Sequence, residues 1–415
     1  MTSKAVHEWI PTKLGDIIKI KHGFAFKGEF FSETPTDNIL VTPGNFNIGG
    51  GFKDSKFKYY AGEIPQEYIL NVGDVIVTMT DLSKAGDTLG YSAKVPSIEG
   101  KKLLHNQRIG LLQFTNNKVN QDFIYWLLRT KNYQNLILGS ATGSTVKHTS
   151  PNRICEFEFE LPSLYEQERI ANILSSLDDK IALNREMNKT LEAMAQAIFK
   201  SWFVDFEPFK EGEFVESELG MIPRGWSVKK LAEFTKVITG KTPPTKESIN
   251  YGNKYPFITI PDMHGEVFIT KTDRALSELG HNVQKNKLLP KNSILVSCIA
   301  TVGLVAINSE ESHTNQQINS IVCASNETFY IYMTMQNMKD TLTEMGGGGT
   351  ATLNVNKGIF EKIQILVPTK ENLNRFDSKV RAIFEKILEN QKQIETLSTL
   401  RDTLLPKLLS GEMAV

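Results

Sequence analysis

Two stretches of the chain repeat a mostly apolar stripe in alternating steps of four and three. The first runs through Ile170, Leu174, Leu177, Ile181, Asn184, Asn188, Leu191, Ala195, Ile198 and Trp202. The second runs through Phe376, Val380, Ile383, Ile387, Asn390, Ile394, Leu397, Arg401, Leu404 and Leu408. Such spacing keeps one stripe of a helix facing a partner, so it predicts two coiled-coil helices of ~40 residues, each ~60 Å long. Ser163 and Glu166 form a capping box at the first start, and Thr369 offers an N-cap at the second. Pro406 is expected to bend or end the second helix early. Asn184 and Asn390 sit at equivalent seam positions, where a buried amide fixes register.

The two stripes are copies. A displacement of 206 aligns Arg169 with Arg375, Leu177 with Ile383, Asn184 with Asn390 and Leu191 with Leu397. Upstream, Trp9, Leu14 and Gly23 match Trp226, Leu231 and Gly240 at 217, Pro43 matches Pro261 at 218 and Val77 matches Val296 at 219. Asn106 and Gln107 match Asn315 and Gln316 at 209. The drift marks loop insertions and deletions between matched elements. Two like surfaces in one chain are commonly satisfied by closed two-fold pairing, which sets the helices antiparallel.

Between the helices the periodicity changes to short β-rich runs bounded by Gly, Pro, Asn and Asp. These cover residues 75–79 and 109–114, with 294–297 and 318–322 as counterparts; helical patterns interrupt them at 122–129 and 328–338. A Gly-rich turn stands before the last strand each time, at 139–143 and 346–349. Strands mixed with helices, without a βαβ rhythm, predict α+β domains. The expected organisation is a globular domain at 1–160, a helix at 161–207, a linker at 208–222, a second globular domain at 223–366 and a helix at 367–415.

Composition narrows the class. The 415 residues are 40% hydrophobic and 23% charged, as in globular chains. No apolar run reaches a membrane span, and the N-terminus lacks a signal-peptide core. Three scattered cysteines give no disulfide framework, so a cytoplasmic location is expected. Net charge is zero overall, but residues 161–220 carry 6 basic and 12 acidic groups, while residues 1–160 carry 18 and 16. Mildly basic globular regions permit nucleic-acid binding without requiring it.

Catalytic signatures are missing. Gly240-Lys241-Thr242 lacks the Gly at 235 that a phosphate loop needs, and prolines follow at 243 and 244. The glycines at 346–349 precede an apparent strand and make no dinucleotide fingerprint. Thr242-Pro-Pro-Thr245 lacks the Asn or Asp that an amino-methyltransferase places before its prolines. The seven histidines form no metal cluster, and Asp262 and Glu266 suggest no nuclease set. The sequence therefore reads as a protein without its own active site.

Residues 161–170 (Leu-Pro-Ser-Leu-Tyr-Glu-Gln-Glu-Arg-Ile), 174–181 (Leu-Ser-Ser-Leu-Asp-Asp-Lys-Ile) and 196–206 (Gln-Ala-Ile-Phe-Lys-Ser-Trp-Phe-Val-Asp-Phe) resemble the central conserved region of type I restriction–modification specificity (S) subunits. Residues 400–412 (Leu-Arg-Asp-Thr-Leu-Leu-Pro-Lys-Leu-Leu-Ser-Gly-Glu) resemble the distal one. The second helix departs at its start, where Glu371-Asn-Leu-Asn replaces the first copy's Glu-Gln-Glu. The resemblance implies two target-recognition domains, each reading one half of a split duplex DNA site, separated by antiparallel spacer helices. It implies two docked methyltransferase (M) subunits using S-adenosylmethionine and motor-nuclease (R) subunits using ATP and magnesium. The chain itself would be non-catalytic, with no cofactor of its own. A coiled-coil scaffold with duplicated protein-binding domains is the competing reading.

On that reading, base contacts fall in the polar, Gly-punctuated segments. The first-domain candidates are Lys21, Lys27, Asn45, Asn47, Thr80, Lys84, Ser144, Lys147 and His148. The second-domain candidates are Thr239, Lys241, Thr242, His264, Thr301, Thr350 and Asn354. Lys147 and Lys241 are expected on phosphates. Trp202, Phe203 and Phe206 form an aromatic group that serves either to dock a partner or to pack on the neighbouring domain.

Overall fold

The computed structural model describes residues 9–83, 85–347 and 353–415. Lys84, Thr350 and the end of the second glycine tract lie outside the described residues. The chain divides into two compact units, Met1–Lys180 with Leu397–Val415, and Ile181–Thr396. The long helices are Leu164–Phe203 and Lys370–Leu409, 40 residues each. Each contributes one part to each unit.

In the first unit, β-branched Val75–Thr78 is buried on both faces at the interior of an antiparallel sheet. The sheet runs Ile18–His22, Ile109–Phe114, Val75–Thr78, Ser92–Lys94. A second sheet carries Asn38–Val41 parallel to Lys102–His105. Ile10–Lys13 pairs antiparallel with Glu158–Leu161, and the long helix starts just after that strand. Asn120 caps the helix Gln121–Leu127 by accepting from the Phe123 N–H at 2.9 Å. Gln167, buried on the long helix, accepts from the Asn120 N–H at 2.8 Å and donates to the Pro162 carbonyl at 2.9 Å. The helix start is thereby fastened to its domain. Ser163 and Glu166 make the expected capping box, their side chains 2.8 Å apart.

The second unit repeats this plan. Its main sheet runs Lys236–Thr239, Ile318–Val322, Ile294–Ser297, Val305–Asn308, Phe268–Ile269. Ser227–Lys230 pairs with Gln364–Val367, directly before the second long helix. Short helices, Pro151–Cys155 and Lys357–Glu361, intervene between each glycine-rich turn and the last strand; sequence reading placed none there.

The long helices pair antiparallel. In the second unit Asn184 Nδ2 donates to Gln393 Oε1 at 2.7 Å, and Asn390 Nδ2 donates to Asn188 Oδ1 at 2.9 Å. Partners descend along one helix as they ascend along the other. Ala195, Phe199, Trp202 and Phe203 share a core with Phe376, Val380, Phe384 and Ile387. In the first unit Ile170 and Leu174 share a core with Leu408 and Leu409, joined by half-buried Leu404 and Leu405. The remaining seam residues, Leu177, Ile181, Asn184, Leu191, Ile198, Ile383, Asn390, Ile394 and Leu397, are all buried or half-buried. Each fully buried side chain of this kind contributes roughly 1.5–3 kcal/mol.

One expectation needs correction, and one left open between two alternatives is decided. Pro406 does not end its helix, which continues to Leu409 with the Ser410 N–H reaching the Pro406 carbonyl at 3.1 Å. The proline removes the bond its N–H would give the Asp402 carbonyl, and the burial of Leu408 and Leu409 in the first unit's core carries the helix past it. Trp202 and Phe203 are 6% and 7% exposed against Phe376, Tyr330 and Trp226, so they are core and not a free docking anchor. Phe206 is half-buried against Phe214 and Trp226. Among the described residues no helix is long and apolar enough to cross a membrane.

Candidate nucleic-acid interface

In each unit the repeated glycine meets the repeated asparagine. A Cβ on Gly23 would lie 2.1 Å from the Asn106 carbonyl oxygen, and one on Gly240 would lie 2.1 Å from the Asn315 carbonyl oxygen. Only glycine allows that backbone approach. The Phe24 N–H donates to the His105 carbonyl at 2.8 Å, and the Lys241 N–H to the Thr314 carbonyl at 3.0 Å. Residues 21–27 are thus laid beside 105–108, and 239–242 beside 314–317. The exposed Gln107, Arg108 and Gln316 enter the candidate surface this way. Sequence reading matched Asn106-Gln107 to Asn315-Gln316 but did not treat them as contacts; the repeat itself was the available signal.

The first unit brings a second candidate group together. Lys147–His148 pairs antiparallel with Thr80–Asp81, placing Lys147 opposite Asp81 and His148 opposite Thr80. Thr142 and His148 exchange backbone hydrogen bonds at 3.0 and 2.8 Å, closing a hairpin whose exposed tip includes Ser144. Gly143 permits the turn with φ 95°, since a Cβ there would meet the Val146 oxygen at 2.0 Å. Thr80 Oγ1 lies 3.2 Å from His148 Nδ1. Asp81, 4% exposed, accepts from the Ser83 N–H at 2.6 Å and from the Thr88 hydroxyl at 2.8 Å, with the Thr88 N–H as a further donor. Burial alone would raise the Asp81 carboxyl, but these hydrogen bonds outweigh it and hold the group below its ordinary range. It therefore stays anionic and holds Ser83 and Thr88 to one carboxylate.

Other first-domain candidates are more constrained. Lys21 Nζ donates to the Glu67 carbonyl at 2.6 Å and lies 4.5 Å over the Tyr68 ring. Lys147 Nζ reaches the Ala85 carbonyl at 3.3 Å. Lys27 is exposed, 3.9 Å from Glu29. Asn47 donates to the Phe52 carbonyl at 3.0 Å. Asn45 must be removed from the set. It is fully buried and accepts from the Thr42 N–H at 3.0 Å as part of a capping box, so its side chain serves the turn. Phe24 and Phe26 cluster with Tyr60 and Tyr68 as loop anchors.

The second unit places Ile299 opposite Asn354 in an isolated bridge and joins the Cys298 carbonyl to the Val355 N–H at 2.8 Å. Thr301 and Asn354 are exposed beside each other's segments, and Ala300 holds φ 63°. Thr239 Oγ1 donates to Asn319 Oδ1 at 2.6 Å, while Asn319 donates to the Val355 carbonyl at 3.2 Å. Thr242 Oγ1 donates to Gln316 Oε1. Lys241 and His264 are exposed; Asp262 caps Thr259 as Asn45 caps Thr42. Among the described residues no group of three or more His, Cys, Asp or Glu could hold a metal ion.

The two units share one backbone frame and carry unlike polar side chains at matching places. The family model for the type I restriction modification DNA specificity domain matches residues 7–193 and again 223–405. The chain belongs to the type I restriction–modification specificity subunits. It is 38% identical over 360 residues to the HindI specificity subunit of Haemophilus influenzae, covering 72% of this chain and 78% of that one. To the MjaIX specificity subunit of Methanocaldococcus jannaschii it is 33% identical over 305 residues, covering 72% and 70%. Its fold is similar to that of a type I S subunit from M. genitalium, at a TM-score of 0.61 and 16% identity, with 99% of this chain and 98% of that one covered. The chain is a DNA-specificity subunit with two recognition domains, and the family's role is recognition, not catalysis. A scaffold that binds no DNA is not favoured.

Proposed function

We propose that each unit reads one half of a bipartite duplex DNA site and that the paired long helices set the gap between the halves. Two methyltransferase subunits dock on this frame, and motor-nuclease subunits join them for restriction. Methylation with S-adenosylmethionine, and cleavage with ATP and magnesium, belong to those partners; this chain supplies sequence choice and operates in the cytoplasm. The observation that carries the reading is the duplicated frame: Gly23 against Asn106 and Gly240 against Asn315, each supporting exposed polar segments. Base readout needs such fixed backbones, because a hydrogen bond to a base edge discriminates only when its donor is held in place.

The test is methylation mapping of a host carrying the methyltransferase partner with and without this chain. The expected result is one bipartite adenine-methylated sequence that vanishes with the chain. Methylation that persists unchanged without it sinks the proposal.

A further inference from the structure

The same displacement that superimposes the long helices brings His148 onto Asn354, and a displacement of 219 brings Thr80 onto Ile299. The structure pairs these residues in the same way: His148 opposite Thr80, and Asn354 opposite Ile299. His148 and Asn354 are both exposed, and their backbones are held by bridges to a neighbouring segment. The two glycines and the two asparagines whose backbones touch are identical between the units, whereas flanking residues differ, Phe24 matching Lys241 and Arg108 matching Gln317. At this bridge the shared backbone arrangement presents an imidazole in one unit and a carboxamide in the other.

Their chemistry suits different base edges. Thr80, 6% exposed, engages His148 Nδ1 at 3.2 Å, which fixes the ring and leaves Nε2 for an outside partner. A single ring nitrogen makes one hydrogen bond. Asn354 carries a donor and an acceptor side by side, the arrangement that matches N6 and N7 of adenine in the major groove. We propose that His148 and Asn354 are the corresponding base-reading residues of the two units, His148 through Nε2 to one base-edge group and Asn354 through its amide to an adenine. The inference rests on the DNA-specificity reading and names the side chains that execute it.

The experiment uses the full chain assembled with its methyltransferase partner, and methylation rates on a library randomised one position at a time. His148→Ala is expected to lose about tenfold or more of discrimination at one position of one half-site, and Thr80→Val to weaken discrimination at that same position. His148→Asn, which keeps an exposed polar side chain, is expected to change the preferred base there. Asn354→Ala is expected to relax one adenine position in the other half-site. Each variant leaves the opposite half-site and the gap unaltered. Unchanged preference at every position, or a uniform slowing across all sequences as a phosphate contact would give, overturns the assignment; so does a His148→Asn complex with wild-type preference. A wild-type complex that methylates no bipartite sequence would instead defeat the DNA-specificity reading.

Discussion

Asp178 on the first long helix accepts a hydrogen bond from Arg401 on the second, through its Oδ1. Its Oδ2 takes Arg129 of the recognition domain at 2.9 Å, and Arg129 in turn donates to the Gly49 carbonyl at 2.8 Å. One carboxylate thus ties both helices to a loop of the first domain. At a displacement of 206 the same three places hold Phe384, Ala195 and Met335, all essentially buried. Equivalent positions are cemented by charge in one unit and by apolar packing in the other.

That contrast makes a prediction. Asp178→Ala strands Arg129, whose side chain is only 6% exposed, and should destabilise the first unit by about 3–5 kcal/mol. The triple change Asp178→Phe, Arg129→Met, Arg401→Ala transplants the second unit's solution and should recover most of the loss. Urea unfolding measures both. A triple variant no better than Asp178→Ala would mean that the charged cluster is irreplaceable there.

Gly240→Ala sets a Cβ 2.1 Å from the Asn315 oxygen and 2.3 Å from Thr314 Oγ1. The backbone must separate, at a cost of roughly 1–3 kcal/mol. Gly28→Ala, with nothing within 4 Å of its Cβ, is the control and should be near neutral. Thermal unfolding that failed to distinguish them would refute the close approach.

Acid sensitivity should come partly from two histidines. Burial pushes His105 down to about 4, and burial with the neighbouring His281 pushes His313 down to about 4. The unfolded chain binds protons as pH falls through the ordinary 6.5, whereas the folded chain does not until near 4. Their stabilisation is therefore full above 6.5 and lost on acidification from 6.5 to 4, at most on the order of 3 kcal/mol each. Denaturant midpoints at about pH 7.5 and pH 5 check this. His105→Gln with His313→Gln should show a shallower decline between them than the parent chain.

The helices were legible because a 3.5-residue stripe and its repetition at 206 survive any tertiary context. The interior strands were legible because Val75 to Thr78 and Ile294 to Ser297 are apolar enough to be buried on both faces. Contacts between distant segments were not. Nothing local says that Asn45 turns inward to cap Thr42 while His148 faces out, since both are polar residues near glycines. The fate of Trp202 and Phe203 was open for the same reason: an aromatic group at a helix end suits a partner or a core equally, and only Phe376 and Tyr330 decide it.

We propose above all that the paired helices act as a ruler between two readers. Inserting four residues into each long helix lengthens it by about 6 Å, close to one or two base pairs at 3.4 Å per step. Methylation mapping of that variant, assembled with its methyltransferase partner, is the direct measurement. The account predicts both half-site sequences retained and the gap between them lengthened by one or two base pairs. An active variant that methylates the original site at the original gap would contradict it.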